Sequence, residues 1–504
     1  MSAARRIEDA LKRINFDAYK GLIVLVTLYF FAIAVLAPLS GDDWAWGASI
    51  GADRLANWFH DYNGRYVGNL IVLVLTRVDI ARFLFETLVN VGIILAAIKL
   101  VSRFVQNEKA SKITVAILIL FGLAIVPIQV WGETFMSTSG FANYNTTTLS
   151  VLISILVFQS LFIRESQDAQ SEDRWNLKGP RKITVIACAI LLGVFTFAAQ
   201  LIMENVSIFI VGFSIIVLVL AFVKRQKILL AFSQLIGAIV GATVMFSNSS
   251  YRNMFEGEAG FRQIGSTPLQ SFVDIWHGRV INEVFIEGGL IFLFLSVVLF
   301  LVAKKNFVQK VLSIFALLFS TFLVAWPFLM GEFSVEGHLG VNAAVSIAAG
   351  FFLICLAVLF FSHEQRFPAL LYLASIVILA PVLIQNTFGY RNFLTTFFLL
   401  ALAGICILLS RYTISSRVVT ILAVVASLVL GVILFGTYHN NRTFARNYTQ
   451  IQAGVADGTQ EIWIDRVSYP RLGWWLDPPS RIYEERKRIF LGVPDGTSLR
   501  LRER

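Results

Sequence analysis

The chain has 504 residues, a net charge of +10, 57% hydrophobic residues and only 15% charged ones, with a mean hydropathy of +0.73. Soluble domains carry about a quarter charged residues. This composition excludes an ordinary soluble protein and predicts a chain that crosses a membrane many times.

A span needs about 20 mostly apolar residues. Such runs recur at 21–39, 82–100, 113–131, 148–163, 183–201, 206–223, 228–246, 285–303, 311–329, 343–361, 369–384, 392–410 and 418–437, which predicts 13 spans and an all-α polytopic fold. The first run is long and no small-residue cleavage site follows it, so it reads as a retained anchor. With the N-terminus cytoplasmic, the inner segments hold 23 of the 42 Lys and Arg, the outer loops 8 and the tail the rest. That bias orients the chain, because positive charge stays inside. The expected place is a bacterial cytoplasmic membrane, with residues 1–437 as the membrane domain and 438–504 as a small extracytoplasmic domain.

The first outer loop, 40–81, opens on Ser40-Gly41-Asp42-Asp43-Trp44-Ala45-Trp46. Crowded carboxylates raise one another's pKa, which suits a general base or a ligand for a cation. A divalent cation at Asp42/Asp43 is the one cofactor these residues leave open. Next, Asp53–Tyr62 mixes Arg54, His60 and Asp61 with Leu55, Trp58 and Phe59, the pattern of an interfacial amphipathic helix. Residues 66–76 are apolar but too short to span, so two short helices are expected in this loop, the second carrying Asn69.

The later outer loops carry acids, amides, aromatics and a few arginines. The second offers Glu133, then Ser137 to Tyr144 with Asn143, and has no basic residue. The third is little more than Glu204-Asn205 between two apolar runs; an acid there is hard to hydrate and is a functional candidate. The fourth holds Tyr251-Arg252, Arg262, Asp274, His277, Arg279 and Glu283, the fifth Glu332, Glu336 and His338, and the sixth Asn386 to Asn392 with Arg391. Arg65, Arg252 and Arg391 sit at helix ends beside amides and aromatics, where a guanidinium can hold a phosphate with two parallel hydrogen bonds. Trp44, Trp46, Trp58 and Tyr144 offer flat faces of the kind that sugars stack on. Asn145 and Asn447 open glycosylation sequons.

The inner stretch Glu165–Arg174 reads as a solvated loop, and Gly237–Gly241 has the GxxxG spacing of close helix packing. The tail has short alternating pieces such as Glu461 to Asp465 and turn signals such as Asp477-Pro478-Pro479, which predict strands. Cys188, Cys355 and Cys406 all lie in apolar runs, and the histidines lack metal-ligand spacing. No phosphate-binding glycine loop of a nucleotide site is present.

Asp42-Asp43-Trp44 after the first run, with Asn63-Gly64-Arg65-Tyr66, resembles bacterial polytopic glycosyltransferases of the GT-C fold, nearest the serotype-converting glucosyltransferase type. Gly140 with Asn143-Tyr144, Glu204-Asn205, Tyr251-Arg252 and Arg488 to Val493 are further short islands of likeness. Ser247 to Tyr251 departs from the pattern, lacking the Pro-Gly expected before the arginine.

The resemblance implies transfer of a sugar from a polyprenyl-phosphate carrier to an envelope glycan or lipid acceptor on the outer face, usually with inversion. A first-loop acid, Asp42 or Asp43, would be the base. Glu204 would be a second acid, with Arg65 and Arg391 on phosphate. Asn69, Glu133, Asn143, Tyr144, Asn205 and Arg252 complete the candidate substrate contacts. A transporter or flippase for lipid-linked sugars, an envelope-glycan polymerase or ligase, and a wall-binding scaffold stand as alternatives.

Overall fold

The computed structural model describes residues 18–60, 62–105, 110–162, 180–255, 268–303, 306–329, 339–362, 366–384, 389–478 and 480–502. Asp61, Glu165–Arg174, Arg262, Glu332, Glu336, His338 and 386–388 lie outside them.

The chain is a helical bundle. The first span, α1, covers Ala18–Leu36. Short helices α2 (Asp42–Gly47), α3 (Ser49–Ala56) and α4 (Tyr66–Leu75) follow. Next come α5 (Asp79–Val105), α6 (Lys112–Ala124), α7 (Ile128–Thr134) and α8 (Thr138–Phe162). After these are α9 (Pro180–Gln200), α10 (Glu204–Lys224), α11 (Ile228–Phe246), α12 (Ser249–Phe255) and α13 (Pro268–Ile275). The chain then runs through a π-helical stretch, Trp276–Ile286, into α14 (Gly289–Val302). Helices α15 (Phe307–Leu329), α16 (Leu339–Ser362), α17 (Arg366–Leu379), α18 (Leu394–Arg411) and α19 (Ser416–Ala456) complete the bundle.

Among the described residues, 11 helices are long and apolar enough to cross a membrane, or up to 13 if each of two bent pairs is one span. The 13 predicted runs therefore all appear, two of them bent. The third breaks between α6 and α7 by 93°, at Pro127, which has no N–H to continue the ladder and disfavours helix at the residue before it. The eighth bends by 66° at Gly288, whose missing Cβ leaves room for Phe397. Its first half extends back to Phe272, so Asp274, His277, Arg279 and Glu283 lie on a helix and not in a loop. Thr138 to Tyr144 likewise belongs to the buried start of α8, with Ser137 as its N-cap.

Tyr390–Arg411 is the central span, with almost every side chain buried, and aliphatic residues such as Leu25, Leu88, Val223 and Ile347 are exposed around the outside. Apolar exposure on this scale fits lipid as solvent. The GxxxG spacing is used: a Cβ at Gly237 would collide with the Gly193 carbonyl, so α9 and α11 touch backbone to backbone.

The first loop has three short helices where two were expected. The amphipathic one ends at Ala56, and Trp58 and Phe59 turn the chain at positive φ. The predicted strand forms as β1, Glu461–Ile464, and pairs in parallel with β2, Ser498–Leu501. Helix α20, Arg481–Leu491, links them over a small core of Ile451, Ile462, Leu491 and Leu499. The last span runs on unbroken through residue 438 to Ala456. Its amides hold the tail: Asn440 bonds Tyr469 and Leu472 backbone, and Asn447 both donates to and accepts from Asp465. Both sequon asparagines, Asn145 and Asn447, are buried and unavailable to a modifying enzyme.

Candidate functional site

The first loop, the starts of α8 and α10, and the tail meet at the end of the bundle where α1 stops. Gly41, at φ +55°, turns the chain into α2. A Cβ there would meet the Trp474 ring at 2.7 Å and its carbonyl at 2.8 Å, so glycine lets the tail lie against this turn.

The turn sends two adjacent acids into different surroundings. Asp43 is fully buried. Its Oδ2 accepts from the backbone N–H of Ser40 (3.0 Å) and Thr138 (3.1 Å), and its Oδ1 from that of Ser139 (2.7 Å). Burial pushes its carboxyl above the usual range, while the N–H groups pull the other way. With both oxygens on backbone, Asp43 ties the first loop to the start of α8. Asp42 keeps about a fifth of its side chain exposed and meets Arg486 of α20 at 2.8 Å. Burial first, then the Asp42 carboxylate, push the nearby Tyr483 phenol up to about 12 and keep it neutral.

Arg65 and Glu204 form a closed pair. Arg65 Nε and a terminal nitrogen lie 2.8 and 2.7 Å from Glu204 Oε2, and the Tyr251 hydroxyl donates to Oε1 at 2.5 Å. Asn63 Oδ1 accepts from the Arg65 N–H (3.0 Å) and from Asn69 (2.9 Å), fixing the approach.

Arg391 is held differently. Its backbone N–H donates to Glu133 Oε2 at 3.1 Å, and its guanidinium stacks 4.0 Å over the Trp474 ring and 5.7 Å from that of Tyr144. Its Nε is buried and has no hydrogen-bond partner among the described residues. Asp42, Glu133, Tyr144 and Arg65 all lie within electrostatic reach of it. Tyr144 donates to Asn392 at 3.4 Å.

The fold thus gathers Asp42, Arg65, Glu133, Tyr144, Glu204 and Arg391. Asn69 and Asn205 serve the scaffold, while the buried Asn143 Oδ1 has no hydrogen-bond partner among the described residues. Asn143 donates to the Ser139 carbonyl at 2.7 Å, and Asn205 accepts from Val206 N–H at 3.0 Å and reaches the Ile378 carbonyl. Arg252 is exposed on α12. Trp44, Trp46 and Tyr144 are core side chains whose faces are covered. Among the described residues no three His, Cys, Asp or Glu side chains converge to hold a metal. Asp43 has both oxygens on backbone, so the Asp42/Asp43 pair does not fit a divalent cation.

Sequence reasoning missed Glu86 and the tail residues Trp474, Tyr483 and Arg486. Glu86 is buried in α5 and accepts from the Thr138 hydroxyl at 3.0 Å. An acid in the middle of an apolar run was its visible signal. The tail residues gave none, because their place over Asp42 depends on a contact spanning 444 positions. No family model, no curated protein and no solved structure matches the chain.

Proposed function

We propose that this protein is a membrane glycosyltransferase of GT-C architecture. It takes a sugar from a polyprenyl-phosphate carrier and gives it to an envelope glycan or lipid acceptor, at the outer face of a bacterial cytoplasmic membrane. In this reading the N-terminus is cytoplasmic, and the Asp42 end and the tail 438–504 are extracytoplasmic. The observation that carries it is a partly exposed carboxylate, Asp42, within electrostatic reach of a buried arginine, Arg391, whose Nε lacks a hydrogen-bond partner among the described residues.

Such a pair suits acid–base and leaving-group chemistry at once. Asp42 takes the proton from the acceptor hydroxyl as that oxygen attacks the anomeric carbon. The bond from that carbon to the phosphate oxygen breaks on the opposite face, giving inversion, and Arg391 meets the charge left on the phosphate. Arg65, engaged by Glu204, adds positive potential nearby. An apolar groove of about 490 Å³ between α9 and α11, lined by Ile190, Phe197, Ile236 and Val240, suits an isoprenoid tail. It leads toward Leu201, Met245 and Tyr251, next to the Arg65–Glu204 pair.

The test is mass spectrometry of envelope glycans and lipid-linked sugars from cells lacking the gene, carrying it, or carrying Asp42→Asn at equal protein level. Transfer by the variant is expected to fall by roughly 10²–10⁴. A sugar increment absent in the null and in the variant supports the proposal. Full restoration by the variant removes Asp42 from catalysis and moves a transporter or a polymerase or ligase ahead.

A further inference from the structure

The face of the tail next to Asp42 carries an aromatic surface built from Trp474, Trp475 and Tyr483. Trp475 is 41% exposed and sits at φ +51°, a backbone conformation that a bulky L-residue rarely adopts. Its ring is nevertheless fixed in place. It stacks on Trp474 at 4.8 Å and 25°, and Tyr483 meets it edge-on at 4.4 Å and 72°. Trp474 in turn lies on the Arg391 guanidinium. On the other side, Arg486 lies 4.7 Å from the Tyr483 ring centroid and pairs with Asp42. A ladder of stacked groups therefore runs from Arg391 through Trp474 to the exposed ring of Trp475. A second path returns through Tyr483 and Arg486 to Asp42.

A rigid, half-exposed indole bordered by charged hydrogen-bonding groups suits one ligand chemistry well. A pyranose has an apolar C–H face and a rim of hydroxyls. The face buries apolar surface against an indole, and the rim is satisfied by the guanidinium and carboxylate beside it. We infer that Trp475 and Tyr483 form a subsite for a sugar ring of the acceptor, so that the acceptor is a glycan rather than a simple lipid. This rests on the glycosyltransferase reading, in which Asp42 deprotonates the acceptor hydroxyl: the ladder puts the platform within an oligosaccharide's reach of that carboxylate. The rival occupant is the bilayer interface, where exposed tryptophans also settle. Trp475 lies instead in a turn between Arg471 and Asp477, with the Arg486–Asp42 ion pair beyond Tyr483.

The test uses the full chain in lipid nanodiscs with no sugar donor present. The probe is the oligosaccharide mixture released by mild acid from the envelope of cells lacking the gene, with binding read by saturation-transfer NMR. Trp475→Gly suits the positive φ and removes the ring together with the rest of the side chain. It is expected to bind about tenfold more weakly than the native chain. Trp475→Phe keeps a flat face and should bind within about threefold. Trp475→Leu keeps apolar bulk without an aromatic face, should match the glycine variant, and serves if that variant does not fold. Native-like binding by the glycine and leucine variants, or no binding by the native chain, overturns the subsite. The separate Asp42→Asn transfer assay keeps the two readings apart. If that variant transfers normally while binding still depends on Trp475, the platform stands and the enzyme reading falls. If that variant is inactive while Trp475→Leu binds like the native chain, the platform falls alone.

Discussion

Two arginine–carboxylate centres lie within electrostatic reach at one end of this bundle, and they are built to opposite ends. In the Arg65–Glu204 centre the guanidinium sits on one carboxylate oxygen and the Tyr251 hydroxyl on the other, with little of either charged side chain exposed. In the Arg391–Asp42 centre the carboxylate is partly open and turned to a tail arginine, while Arg391 is held by its backbone and by stacking. A charge paired inside low-dielectric surroundings locks structure, because removing either partner strands the other. A charge held in place by non-ionic contacts stays available to a ligand. On the proposed function, the difference separates a joint from a working surface, although both centres pair an arginine with a carboxylate.

The sharpest way to break this comparison is Glu204→Ala. It leaves a buried guanidinium without its counter-charge, and the expected cost is about 3–5 kcal/mol of stability. Thermal unfolding in detergent reads it as a large fall in midpoint or a loss of folded protein. A variant that melts like the native chain would show that Arg65 finds water or another partner, and the centre would not be a lock.

The adjacent acids give the next contrast. Asp43→Asn replaces one carboxylate oxygen by an NH2 group, so at least one of the three backbone N–H groups loses its acceptor and faces a donor instead, and it should cost about 2 kcal/mol. Asp42→Asn breaks one partly exposed ion pair and should stay within about 1 kcal/mol of the native chain while losing transfer. Equal destabilisation of the two variants would erase the distinction between brace and base.

The smallest effect concerns the seating of the tail. Lys487 of α20 is buried, 5.1 Å over the Trp44 ring, and burial pushes its ammonium down to about 8 from an ordinary value of about 10.4. A lysine with a lowered folded pKa binds fewer protons folded than unfolded across that interval, so stability rises with pH from about 8 toward 10.4. Between about pH 7.5 and 9 the gain should be about 1 kcal/mol, and Lys487→Met should abolish the slope. An unchanged slope in that variant would mean that Lys487 is hydrated and the tail sits loosely on α2.

Legibility in the sequence differed between span and site. Apolar runs marked every span, since length and hydropathy are local properties, yet the bends needed the Pro127 and Gly288 contexts. The Asp42–Asp43 pair stood out at once, but nothing local separates the two. Their difference is three backbone N–H groups, two of them on α8, and one arginine from α20. Asn205 looked like a sugar ligand because a free amide and a scaffold amide have the same letter. Trp44 and Trp46 looked like open faces for the same reason.

By itself, the sequence determined that this chain is a many-spanning helical membrane protein with its polar chemistry gathered at one end. Those traits follow from the cost of exposing polar backbone to lipid, which every residue feels independently. Only the tertiary structure decided which carboxylate is closed and which is open, which arginine is locked, and that the tail roofs the first loop. Those depend on pairings between residues far apart in the chain, and burial of a charge has no meaning until its partner is in place.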